Sequence, residues 1–190
     1  NIFGTIDTVT NFPTANLWLI NPNGFLFGQT AVLNVGGSVN ISTADYLKMA
    51  DGKRFNALPG PADALLSMAS VEAFGFLERP TLAPTFGKIT ISGTNTNSSP
   101  LASLSLVGRE IVLTGANLDV SGGGDAPKDI LVASMSSRGE IRLRTPSSGP
   151  QISPSTALGP ITLENSRISS GSSEDFKHDK AVIGVPTIRF

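Results

Sequence analysis

Cysteine is absent from the 190 residues, which removes disulfides, thiolate nucleophiles and Cys-based metal sites together. Charge is scarce too: 14 Lys and Arg against 15 Asp and Glu leave a formal net charge of −1. No strong field draws such a chain to a phosphate backbone or an anionic lipid surface, so no nucleic acid partner is expected. The one histidine, His178, stands in the charged, loop-like stretch Phe176-Lys-His-Asp-Lys180 and reads as a solvated residue, not a general base. Without a second histidine or a Gly-x-Ser-x-Gly elbow, a hydrolytic triad is not expected. One Trp and one Tyr are too few for a sugar-stacking surface. Apolar runs such as Leu17-Trp-Leu-Ile20 end far short of the roughly 18 to 20 residues that cross a bilayer, so the chain is expected not to span a membrane. The opening Asn1-Ile-Phe-Gly-Thr5 has no basic region and no apolar signal segment, so any targeting signal is expected to have been removed or to lie outside these residues.

What the chain does have is turn formers. Gly 20 and Pro 13, with many Ser, Thr and Asn, leave little room for long helices and point to a β-rich fold. Period-two alternation recurs in short pieces, at Ile89 and Ile91, Leu104 and Leu106, Ile111 and Leu113, Leu118 and Val120, Ile141 and Leu143, and Ile161 and Leu163. In Gly139-Glu-Ile-Arg-Leu-Arg144 the pattern turns Ile141 and Leu143 inward and Arg142 and Arg144 outward.

Several of these strands are prefaced by glycine, as in Gly87-Lys-Ile-Thr-Ile91, Gly108-Arg-Glu-Ile111, Gly139-Glu-Ile141 and Gly159-Pro-Ile161. Spacings of 21 (87 to 108) and 20 (139 to 159) suit a stacked-coil solenoid, and the 31 from 108 to 139 suggests a loop insertion around Ser121-Gly-Gly-Gly-Asp125. Each coil then buries its apolar face on its neighbours in a continuous column, with Ile89, Ile91, Ile111, Leu113, Ile141 and Leu143 pointing into it. A β-sandwich of the same strand content is the competing architecture. The length suits one domain over residues 1–190.

Two stretches break the rhythm. Residues 44–55 could hold a short helical turn, and Leu58-Pro-Gly-Pro-Ala-Asp-Ala-Leu-Leu66 begins as a proline-punctuated loop. The tail from Ser169 to Phe176 is polar, and a last apolar run, Ala181 to Val185, comes after it.

Asp119, Asp125 and Asp129 are close in sequence but flank a Gly-rich turn, where Asp is favoured for its local hydrogen bonding. No calcium-loop pattern occurs, and Gly122-Gly-Gly-Asp125 alone does not make one, so neither a metal nor a cofactor is expected. Trp18 alternates with Leu17 and Leu19 and would face opposite to both in a strand, yet a buried ring is expected. Between two apolar runs lies Asn21-Pro22-Asn23-Gly24, a β-turn signal: Pro22 presets φ at the second position, Asn23 tolerates a left-handed third, and Gly24 suits the exit.

The run Ala15-Asn-Leu-Trp-Leu-Ile-Asn-Pro-Asn-Gly-Phe-Leu-Phe-Gly28, with Ala31-Val-Leu-Asn-Val-Gly-Gly-Ser38 and Ser42-Thr-Ala-Asp45, resembles the secretion domain of filamentous-haemagglutinin-like exoproteins of two-partner secretion systems. Ala73-Phe-Gly-Phe-Leu77, Leu104-Ser-Leu-Val-Gly108 and the stretch from Ala133 to Ile141 are similar to later coils of such proteins.

The resemblance implies a right-handed parallel β-helix with loop and short-strand excursions, carried across the periplasm and passed unfolded through an outer-membrane β-barrel transporter to the cell surface or beyond. It implies a secretion and adhesion module without catalysis. An Asn-Pro-Asn-Gly segment is one of the family's motifs, so transporter recognition is expected at Asn21, Pro22, Asn23 and Gly24, with Phe25 where Ile is common. A second motif, Asn-Pro-Asn-Leu, does not occur, which suggests an N-terminally truncated secretion-domain fragment. Because parallel β-helices also carry polysaccharide lyases and hydrolases, a carbohydrate-active enzyme is the alternative reading.

Overall fold

Short alternating segments become strands where one face has a core to meet and the other has water. The computed structural model describes residues 1–60, 63, 67–79, 86–93, 101–120, 129–143, 151–152, 157–170, 180–184 and 188–189. Every regular element among them is a strand. Strands β1 (Thr5–Asp7), β2 (Leu17–Ile20), β3 (Phe25–Phe27), β4 (Val32–Asn34) and β5 (Ser38–Ser42) come first. An excursion with β6 (Tyr46–Met49), β7 (Arg54–Asn56) and β8 (Val71–Phe76) precedes β9 (Lys88–Ser92). Then come β10 (Ser103–Gly108), β11 (Glu110–Thr114), β12 (Asn117–Val120) and β13 (Asp129–Ser134). A second excursion carries β14 (Gly139–Arg142) and β15 (Gln151–Ile152), before β16 (Ile161–Glu164), β17 (Arg167–Ser170), β18 (Lys180–Gly184) and β19 (Ile188–Arg189).

Two five-stranded sheets are wholly parallel, in the orders β18-β13-β10-β5-β2 and β19-β16-β11-β9-β3. Two parallel pairs, β1-β4 and β12-β17, accompany them. The fifth sheet, β15-β14-β8-β6-β7, is antiparallel and is built only from the two excursions.

Register stacks like on like. Phe25, Ile89, Ile111 and Ile161 are successive partners across four strands, as are Phe27, Ile91 and Leu113, and all pack into one cluster with Val39, Ile41, Leu104 and Leu106. Between them stand Leu26, Thr90, Val112 and Thr162, which face away from that cluster, and on the same outer side Lys88 pairs with Glu110 across the strands at 3.0 Å. Burying each of these aliphatic side chains contributes about 1.5–3 kcal/mol, so the repeated ladder is the main source of order here.

In the sheet containing β10 and β13 apolar residues are buried on both faces. Leu104, Leu106, Ile130 and Val132 enter the first cluster, while Val107, Leu131 and Ala133 enter a second one formed with Leu47, Phe74, Phe76 and Ile141 of the antiparallel sheet. This double burial explains continuous runs such as Ile130-Leu-Val-Ala133, which no single wet face would tolerate. Trp18 belongs to the second cluster, its ring centroid 5.9 Å from that of Phe74.

Three expectations need correction. Residues 44–55 form no helical turn: β6 and β7 pair antiparallel, Met49 N–H donating to the Lys53 carbonyl and Gly52 supplying φ +82° at the tip. The Gly139 strand is no coil of the column, because β14 runs antiparallel to β8 and places Ile141 in the second core, with Leu143 packed against it. In the parallel sheet β11 pairs directly with β16, and Ile89, Ile91, Ile111 and Leu113 share one core that Ile141 and Leu143 do not. The expected insertion from Ser121 to Asp125, together with Arg144 and the tail beyond Ser170 through Phe176, lies outside the described residues; of Ala181 to Val185, residues 181–184 are strand.

In the antiparallel sheet Gly75 lies opposite Tyr46, whose ring occupies the place a side chain at 75 would take. The Tyr46 hydroxyl donates to Glu140 at 2.9 Å and Lys48 Nζ donates to the same carboxylate at 3.0 Å, tying the two excursions together. Burial works against the Glu140 carboxylate, but these two hydrogen bonds and the charges of Lys48 and Arg54 outweigh it and hold its pKa below the ordinary value. A depressed folded pKa stabilises the fold above the unfolded-state value and loses that contribution as pH falls through the folded one. Urea midpoints measured from pH 7 down through the acid range are expected to fall more steeply for the native chain than for Glu140→Gln. Parallel slopes would show that this cluster does not contribute.

Candidate functional site

The segment from Asn21 to Gly24 turns the chain from β2 into β3, and so from one parallel sheet into the other. Gly24 N–H donates to the Asn21 carbonyl at 3.0 Å, closing the turn. The Asn21 side chain is consumed inside it: Oδ1 accepts from Asn23 N–H at 3.1 Å and Nδ2 donates to the Gly24 carbonyl at 3.0 Å. Its backbone N–H continues the ladder to the Ser42 carbonyl at 3.0 Å.

The left-handed position is Gly24, at φ +112°, and not Asn23 as expected from the sequence. Asn at the first position, Pro at the second and Gly at the fourth is the residue pattern of a type I turn, which needs no positive φ at its third residue. Pro22 is buried and Phe25 packs into the column core, 6.1 Å from the Phe27 ring between centroids. Of the five expected residues, therefore, only Asn23 is an exposed side chain.

The same corner recurs along the stack in other forms. Between β5 and β9 it is the first excursion, between β10 and β11 it is the single residue Arg109, and between β13 and β16 it is the second excursion. Arg109 is 4 % exposed and was not singled out by sequence, where it stands beside Glu110 with nothing to mark it as buried. Its Nη2 donates to Asp45 Oδ2 at 3.3 Å and to the Leu77 carbonyl at 2.6 Å, and its Nη1 to the Ser136 carbonyl at 3.2 Å. Asp45 also accepts from Leu77 N–H at 2.7 Å and pairs with Arg79. Burial pushes the Arg109 guanidinium below its ordinary pKa, while Asp45 pulls the other way.

Glycines leave room for this knot. A Cβ at Gly159 would fall 2.0 Å from the Arg109 carbonyl oxygen, and one at Gly87, where φ is +72°, would meet the Arg109 side chain at 2.8 Å.

The acidic candidates do not converge. Asp119 is on β12 and Asp129 opens β13, in different sheets, and Asp125 and His178 lie outside the described residues. Among the described residues no group of three or more His, Cys, Asp or Glu is placed to hold a metal, and no helix is long and apolar enough to cross a membrane.

No curated protein and no solved structure gives a significant match to the chain. Residues 1–180 match the TPS secretion domain, a family of secretion modules and not of enzymes. The chain therefore belongs to the TPS secretion domain family and is a module of a two-partner secretion exoprotein, secreted by way of the periplasm with a dedicated outer-membrane partner.

Proposed function

We propose that the chain is the secretion domain of a filamentous-haemagglutinin-like surface adhesin, and that its outer-membrane β-barrel transporter reads the corner formed by Asn21, Pro22, Asn23, Gly24 and Phe25. The observation carrying this reading is a self-satisfied turn that leaves one amide, that of Asn23, facing solvent. The Asn23 side chain makes no bond within the turn, so its amide is available to a partner. Pro22, Gly24 and Phe25 serve by fixing the place and angle of that amide.

The reading includes a right-handed parallel β-helix as one domain over residues 1–190. It is supported by the parallel register of β2 with β5, β10 and β13, repeated by β3 with β9, β11 and β16, each return running through a crossover. The antiparallel sheet is then an excursion laid over one face of the helix.

The test is export in cells that carry a periplasmic targeting signal on the chain, with and without the cognate transporter. Appearance in the medium or at the surface only when the transporter is present is the expected result. Equal release without it would contradict the proposal.

A further inference from the structure

Asp45 and Arg109 are the two charged residues that fall among the buried ones in the described chain, at 7 % and 4 % exposure. Their pairing spans 64 residues. Asp45 stands at the entry to the first excursion, and Arg109 at the corner of a later circuit.

Without Arg109, the Asp45 carboxylate would keep Leu77 N–H and Arg79, a residue whose side chain is 28 % exposed, while the Leu77 carbonyl would lose a donor at 2.6 Å. Without Asp45, the Arg109 guanidinium would remain buried against the Phe76 ring, 5.3 Å from its centroid, with carbonyl partners and no counter-charge. Burying Arg109 without Asp45 is strongly unfavourable, and Asp45 without Arg109 keeps as its charged partner only the part-exposed Arg79, so the first excursion settles most favourably once both are present.

We propose that Asp45 and Arg109 form a folding latch, which lets the antiparallel sheet settle on the parallel one only after the corner carrying Arg109 has formed. The backbone is part of the device: Arg109 N–H donates to the Gly87 carbonyl at 3.0 Å and to Thr43 Oγ1 at 3.2 Å, gathering both ends of the first excursion at one residue. Arg109 Nη1 then holds Ser136 at the start of the second. In a chain exported unfolded, a consequence that rests on the secretion reading, strands β6 and β8 are kept from settling before residue 109 is available.

The test uses the whole chain, refolded from urea, with Asp45→Asn, Arg109→Met and the double variant. Trp18, the one tryptophan, reports docking through its contact with Phe74, and far-ultraviolet circular dichroism reports strand formation. The native chain is expected to gain its strand signal before its Trp18 signal, and a Trp18 signal that comes first would contradict the latch. In Asp45→Asn, amides of β6 and β8 are expected to exchange on the order of a hundredfold faster while those of β11 and β12 keep their protection. The double variant is expected to recover most of that loss, since no charge is left buried alone.

Equal loss of protection in both sheets, or a double variant whose loss is the sum of the single ones, would reduce the pair to an ordinary stabilising contact and overturn the latch. If Asp45→Asn does not fold, the double variant decides: regained folding supports the latch and continued failure contradicts it. None of these measurements needs a transporter, so they stand apart from the export test.

Discussion

Gly36→Ala is expected to destabilise the domain by about 3 kcal/mol, lowering the melting temperature by roughly 6–12 °C, although it adds one methyl group. A Cβ at Gly36 would lie 1.8 Å from the Pro13 carbonyl oxygen, and one at the adjacent Gly37 would lie 2.4 Å from that of Ala15. Both obstacles are backbone, so no side chain can rotate away. The segment leading into β2 crosses directly over this glycine pair, and Asn16 Oδ1 accepts from Ser38 N–H at 2.8 Å beside it.

Relieving the clash must move residues 13–16, and with them β2, which carries Trp18 and enters the Asn21 turn. Gly4→Ala is the control, because a Cβ there meets nothing within 4 Å and the expected change stays within about 0.5 kcal/mol. Thermal melts of the two variants separate the cases. A Gly36→Ala melt coincident with the native one would show that the crossing is looser than this geometry requires.

How much of this was legible in the sequence varies with the environment of each residue. Ile89, Ile91, Ile111 and Leu113 were readable because their strands alternate fully buried residues with part-exposed ones, Lys88 and Glu110 marking the wetter side. Ile141 obeys the same alternation and is buried, but alternation tells only which way a side chain points, not which of two cores it meets. The parallel sheet under the excursions was less plain, since burial on both faces erases the period on which the reading depends.

Residues 44–55 looked helical because Leu47, Lys48 and Met49 are good helix formers, and strand pairing with β8 overrode that local preference. Arg109 carried no pattern at all. Its importance comes from three backbone carbonyls and a carboxylate brought together from distant stretches of chain, and no window of sequence contains them. The Asn21 turn was the reverse case, readable as a turn from four residues, though only the structure shows that the Asn21 side chain bonds within it while that of Asn23 faces solvent.

That division sets the second large effect. Asn21→Ala removes an acceptor for Asn23 N–H and a donor for the Gly24 carbonyl, both within the turn. A loss of about 1–2 kcal/mol is expected, seen as a melting temperature lower by roughly 2–8 °C. Asn23→Ala removes an exposed side chain with no bond inside the turn beyond its backbone, and its stability is expected to stay within about 0.5 kcal/mol of native. Export should rank the other way. If Asn23 is what the transporter contacts, its loss is expected to lower export about tenfold, the size of one substantial contact at an interface.

The most direct measurement is therefore export of Asn23→Ala by the cognate transporter, with the melting temperature of the same purified variant beside it. Export reduced about tenfold with an unchanged melt is the expected result. Native export from Asn23→Ala, or export that falls in Asn21→Ala and Asn23→Ala only in step with lost stability, would contradict it and leave the corner as a turn alone.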